Sequence, residues 1–196
     1  SPSRGLGDVY KRQPTECIYS RFANPTCDAV EKKIASLEGG VGAMLTSSGQ
    51  AASLLSILNL CSAGDSFIAA STIYGGTINL FGVTLKKLGI ECIWADAEAS
   101  EEEVQKLFKP NTKAVFGETL ANPALTVFDI EKWANIAHKN NVPLIVDNTF
   151  ATPVLCRPIE WGADIVIHST TKYMDGHAVQ GLSLIHISEP TRRTPI

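Results

Sequence analysis

Apolar residues gather in short runs, separated by longer stretches in which they recur every three or four positions. The runs are AML (43–45), SFIAA (66–70), ECIWA (91–95), AVFGE (114–118), PLIVD (143–147) and DIVIH (164–168). Most lack strict alternation, the pattern of strands covered on both faces. Between them the spacing predicts helices over 25–38, 49–61, 75–88, 100–108 and 130–140. The first has Asn24 as cap and Pro25 at its opening position, and it stops before Gly39-Gly40. It places Val30, Ile34 and Leu37 on one face. Residues 101–108 open on three glutamates, which suits the positive end of a helix dipole. Strand and helix in alternation predict an α/β fold, a mostly parallel sheet between layers of helix.

The two ends break this pattern. The tail LSLIHISEPTR (182–192) fits no helix, strand or turn signal. Read antiparallel by codons, it is the complement of SRGLGDVYKRQ (3–13). Leu182 opposes Gln13, Ser183 opposes Arg12, His186 opposes Val9, and the match runs to Arg192 against Ser3. This implies one inverted DNA repeat read in both directions, similar to the translated end of a transposon used for sequencing libraries. Such flanks stand outside fold reasoning. The expected division is a non-native flank over 1–13, a partial domain over 14–181 and a second non-native flank over 182–196.

Composition narrows the function. The chain has 17 Lys+Arg against 20 Asp+Glu, net −3, and the acidic excess grows without the flanks. A nucleic-acid binder would show a basic face, so none is expected. At 44% hydrophobic the chain can bury one substantial core. No apolar run reaches membrane-span length, and no membrane partner is expected. The five cysteines, Cys17, Cys27, Cys61, Cys92 and Cys156, form no C-x-x-C pair. They read as buried small hydrophobes in a reducing, cytoplasmic compartment. The four histidines lack metal-ligand spacing, so no metal is expected.

Chemistry collects where the strands end, the position at which open α/β sheets bind ligands. Ser48 and Gly49 open a helix just past a strand, where free amides make an anion site. Ser169 and Thr171 can add hydroxyls to the same anion. Simple capping is the competing reading. Lys172 follows the apolar run DIVIH; a lysine there, partly desolvated, has a lowered pKa and can form a Schiff base. Most lysines are plain surface residues. Asp147 ends another buried strand and needs a cationic partner or several donors. Tyr74 offers a flat face, and Asn122 a donor for an exocyclic oxygen. One ligand meets all of these needs: pyridoxal 5'-phosphate.

YSRFANPT, SSGQAA, YGGT, ETLANP, VDNTF, GADIVIHSTTKY and GH, in that order, resemble the Cys/Met-metabolism family of fold-type-I pyridoxal-phosphate enzymes over nearly all of 19–181. The resemblance implies the large domain of that fold, truncated and without its C-terminal substrate domain. It implies Lys172 as the Schiff-base lysine and proton shuttle, with Asp147 on the ring nitrogen. Tyr74 stacks on the ring and assists proton transfer. Ser48, Gly49, Gln50, Ser169 and Thr171 cradle the phosphate, and Asn122 lies by the ring oxygen. Tyr19 and Arg21 reach a neighbouring subunit's cofactor in a homodimer or homotetramer. Glu118 stands equally between direct contact and a supporting role. Gln50 departs from the family's usual Met, which puts side-chain contacts there in question.

YGGT, ETLANP and KYMDGHAVQG are most similar to O-acetylhomoserine sulfhydrylases. The expected activity is therefore γ-replacement on a small amino acid, O-acetyl-L-homoserine, with sulfide or a thiol. Cystathionine γ-synthase or a γ-lyase is the alternative, and a plain α/β phosphate-binding module is another. As a truncated piece, residues 1–196 are expected to be poorly active or inactive.

Overall fold

A computed structural model of the protein describes residues 24–177 and 183–187. Its first helix, α1 (Pro25–Glu38), starts as the sequence directs. The Asn24 side chain accepts from the amides of Thr26 at 3.0 Å and Cys27 at 3.3 Å, and Pro25 loses nothing at a position whose N–H has no helical partner. Gly39 ends the helix at φ 76, a left-handed cap. The expected apolar face is met only in part. Ile34 is buried, but Val30 and Leu37 are 40% and 39% exposed, while Ala35 and Glu38 turn inward. The helix lies at one margin of the sheet, against its first and last strands, so a narrow stripe suffices.

The strands are β1 (Gly42–Thr46), β2 (Ser66–Ala70), β3 (Glu91–Ala95), β4 (Thr112–Glu118), β5 (Leu144–Asp147), β6 (Ile165–Ser169) and β7 (Ser183–Ile187). They form one sheet in the order β1-β7-β6-β5-β4-β2-β3. β2, β3, β4, β5 and β6 pair in parallel, as their unalternating apolar runs predict. β7 is antiparallel to both of its neighbours. This corrects the reading of 182–192 as patternless. Ser183 to Ile187 lies between β1 and β6 and pairs with both, and Ile185 is buried. Two strand edges with unpaired amides and carbonyls capture a short segment of good β-formers whatever its origin.

The helices between strands follow the sequence closely. They are α2 (Gly49–Leu60), α3 (Gly75–Asn79), α4 (Glu101–Gln105), α5 (Ile130–Lys139) and α6 (Thr152–Leu155). α3 runs on into a π-helical stretch, Leu80–Leu85, where one regular helix was expected. The wider turn seats both Phe81 and Leu85 in the core at 0% exposure. α4 is shorter than expected. Its capping box is present, with the Ser100 hydroxyl accepting from the Glu103 amide and Glu103 accepting in return. It stops at Gln105, with Lys106 as its C-cap.

Phe81 sits edge-on to Phe67 and to Phe116, each pair at 4.9 Å, and joins α3 to the centre of the sheet. On the far side Phe128 stacks on Trp133 of α5 at 5.3 Å. These layers fix the strand ends. The chain passes from β2 to β3 on one side and then to β4 on the other. The crevice at that reversal opens beyond the carboxyl ends of β2 and β4. Cys27, Cys61, Cys92 and Cys156 are free thiols, and burial pushes Cys61 up to about 11.

Candidate active site

Every strand end in this region feeds one cleft of about 1080 Å³. From β1 and α2 come Ser48, Gly49 and Gln50. From the turn after β2 comes Tyr74, and from β4 and its following loop come Glu118 and Asn122. β5 supplies Asp147, and β6 with its turn supplies Ser169, Thr171 and Lys172. Of the residues singled out in the sequence, ten line this cleft together. Tyr19 and Arg21 lie outside the described residues.

At one end is the amino terminus of α2. Ser48 caps it, its hydroxyl accepting from the Ala51 amide at 3.2 Å. The amides of Gly49 and Gln50 have no acceptor among the described residues, and they carry the positive end of the helix dipole. The Gln50 side chain donates to the Thr77 hydroxyl at 3.0 Å and so ties α2 to α3. Its amide, not its side chain, is what it offers the cleft.

The floor holds two carboxylates in register, Glu118 on β4 and Asp147 on β5. Burial raises Asp147 above the ordinary aspartate range. Two hydrogen bonds from Thr149 oppose this, one from its hydroxyl at 2.5 Å and one from its amide at 3.0 Å, and the facing His168 opposes it as well. Burial, then the Asp147 charge, pushes Glu118 up to about 7. Glu118 accepts from the Tyr74 amide at 2.7 Å. That contact supports the residue that carries the aromatic ring, while Glu118 itself also lines the cleft. Tyr74 itself is 55% exposed, and its ring lies over Gly76, where a Cβ would stand 2.5 Å from the ring edge.

Sequence reasoning passed over Thr149 although it quoted VDNTF. Thr149 donates to Asp147, and its hydroxyl accepts from the Ser169 amide at 2.8 Å, so it ties β5 to β6 at the site. Thr77, Phe150, Tyr173 and His177 also line the cleft without having been singled out. Thr149 alone had a local signal, its position two residues past a strand-ending aspartate.

Lys172 differs from expectation. It borders the cleft but is exposed. The turn that carries it, closed by its amide to the Ser169 carbonyl at 3.1 Å, lifts it clear of the apolar strand before it. The desolvation inferred from DIVIH belongs to that strand and not to the lysine.

Residues 5–190 match the family described as Cys/Met metabolism PLP-dependent enzyme. The chain belongs to that family. Among its curated relatives, an O-acetyl-L-homoserine sulfhydrylase of Corynebacterium glutamicum is 52% identical over 82% of this chain and 37% of its own length. A homocysteine/cysteine synthase of Kluyveromyces lactis is 49% identical over 83% of this chain and 36% of its own. The chain therefore spans little more than a third of these Cys/Met-metabolism relatives. The solved O-acetylhomoserine (thiol)-lyase of Campylobacter jejuni superposes with a TM-score of 0.85 at 39% identity, over 88% of this chain and 43% of that one. That structure contains N'-pyridoxyl-lysine-5'-monophosphate. The fold expected of the family, a mostly parallel sheet between helices, is the fold observed. Among the described residues no helix is long and apolar enough to cross a membrane.

Proposed function

We propose that this chain holds pyridoxal 5'-phosphate in the cleft and is the cofactor-binding part of a γ-replacement enzyme acting on O-acetyl-L-homoserine. The observation that carries the reading is the convergence of three unlike groups. These are the free amides of Gly49 and Gln50, the partly buried Asp147 carboxylate and the accessible Lys172 amine, all in one cleft beside the Tyr74 ring. Each fits a different part of one molecule: a phosphate, a ring nitrogen and an aldehyde. When bound, the cofactor supplies an electron sink for bonds at the substrate's α-carbon.

The protein's own residues orient and move protons around it. Gly49 and Gln50 bind the phosphate through amides, and Ser48, Ser169 and Thr171 add hydroxyls. Asp147 keeps a proton on the ring nitrogen, and that proton in turn compensates a carboxylate otherwise costly to bury. Asn122 donates to the ring oxygen. Tyr74 covers one ring face. Lys172 anchors the cofactor through Nζ and, once released, takes and returns the α-proton at the same atom. Tyr19 and Arg21 serve a neighbouring subunit's cofactor in a homodimer or homotetramer, and the working compartment is the cytoplasm. The choice of O-acetyl-L-homoserine with sulfide or a thiol, giving homocysteine or methionine, is supported by what the relatives are called.

Borohydride reduction after incubation with pyridoxal phosphate tests the binding reading. A stable pyridoxyl adduct is expected on Lys172 by mass spectrometry, and Lys172→Ala should abolish it. An adduct spread over surface lysines, unchanged in that variant, would sink the reading. The substrate choice is tested on a full-length gene product. Homocysteine from O-acetylhomoserine and sulfide supports it; 2-oxobutyrate from methionine or cystathionine instead assigns elimination.

A further inference from the structure

Beneath the cleft floor lies an ionisable pair that does not line it. Glu38, on the last turn of α1, and His168, on β6, meet at 2.5 Å between Oε1 and Nε2, and both side chains are 0% exposed. Packing alone does not call for such a pair. Removing two ionisable groups from water costs several kcal/mol each, and apolar side chains of similar size generally stabilise a core better.

The pair is placed to act on the site. Asn148 donates to the same Glu38 oxygen at 3.1 Å and to the Cys156 carbonyl at 2.8 Å, and it accepts from the Thr119 hydroxyl at 2.8 Å. Thr119, Asn148 and His168 thus join one network. Each is the chain neighbour of a cleft residue: Glu118, Asp147 and Ser169. Successive residues at a strand end face opposite ways. One of each couple therefore serves the cleft and the other is fastened underneath, with Glu38 as the common anchor. Among the described residues, Asp147 at the end of β5 feels His168 and the Cys156 thiol at the end of α6 feels Glu38. After the two Thr149 hydrogen bonds, His168 also favours a charged Asp147.

We infer that Glu38 is a positioning residue. Through His168 and Asn148 it fixes the ends of β5 and β6 and holds the imidazole in place behind Asp147, which keeps the aspartate fit to hold a proton on a ring nitrogen. Neither Glu38 nor His168 touches the ligand. The inference rests on the proposed cofactor but is testable in its absence.

Glu38→Gln preserves shape and an acceptor but removes the charge; Asp147→Asn perturbs the other end. Wild type and both variants are labelled with 15N-histidine, without cofactor, and the His168 imidazole signals are identified by their loss in His168→Gln. Both variants are expected to move those signals. The proteins are then titrated with added pyridoxal phosphate from about pH 5 to about pH 9, reading visible absorbance. In Glu38→Gln a ring nitrogen less firmly protonated withdraws less from the lysine-linked nitrogen, so the absorbance midpoint should rise by about one pH unit. A merely structural Glu38 would lower the melting temperature and leave that midpoint in place, which overturns the inference. Should Glu38→Gln not fold, unmoved His168 signals in Asp147→Asn overturn it as well. A wild type that forms no lysine-linked cofactor counts against the proposed function alone, because the imidazole signals decide this inference without it.

Discussion

Glu118 shows how one side chain serves two neighbours at odds. It must accept from the Tyr74 amide, which favours the carboxylate, while Asp147 and burial oppose the charge. The outcome is a folded-state value moved from 4.5 to about 7. The folded chain thus holds this proton more tightly than the unfolded chain. Its contribution to stability is fully present below about 4.5 and is lost as pH rises through about 7. Glu118→Gln keeps an oxygen for Tyr74 and removes the titration. Without cofactor it should stabilise the chain by roughly 2 kcal/mol near pH 8 and by much less near pH 5, read from urea unfolding. An equal gain at both would place the strain in packing rather than in charge. The sequence made Lys172, Asp147 and the Ser48-Gly49 amides legible, because each is a residue type out of place at the end of an apolar strand. Glu118 was seen but not assigned, since its role depends on a backbone amide far away in the chain. Glu38 and His168 were not legible. A glutamate in a helix and a histidine ending a strand look ordinary until the fold buries them together.

Elements were legible where a local rule closed both ends. α1 is the example: cap, first-turn proline and terminal glycine all stand in the sequence and all act as read. Asn24→Ala should cost about 1 kcal/mol in thermal or urea unfolding, and Asn24→Ser most of that less. No loss would mean the helix is held by packing alone. That cap also sets the phase of the helix and so aims Glu38. Which face α1 buries was misjudged, because period alone cannot tell a helix over the sheet's centre from one at its margin. The π-helical stretch after α3 escaped for a related reason. Its turn is widened to suit Phe67 and Phe116, which are distant in sequence.

At the scale of the whole molecule, the parallel sheet could be read from alternation, but its closure could not. β7 joins β1, and with it α1, to the rest of the sheet. Ending the chain after Gly181 should leave β2 to β6 protected in hydrogen–deuterium exchange, while β1 and α1 exchange much faster, by about 100-fold or more. Uniform protection would mean that β1 pairs with β6 directly. Glu38 rides on α1, so the same shortened chain would also lose the anchor beneath the cleft.

The pairing of Gly42 with Ile187 sets an order in time. During synthesis β1 has nothing to join until β7 has been made. α1 and β1 must wait, capped but undocked, while β2 to β6 assemble in sequence. The buried Glu38 meets His168 only when that wait is over, so the floor of the cleft closes after the parallel strands beside it.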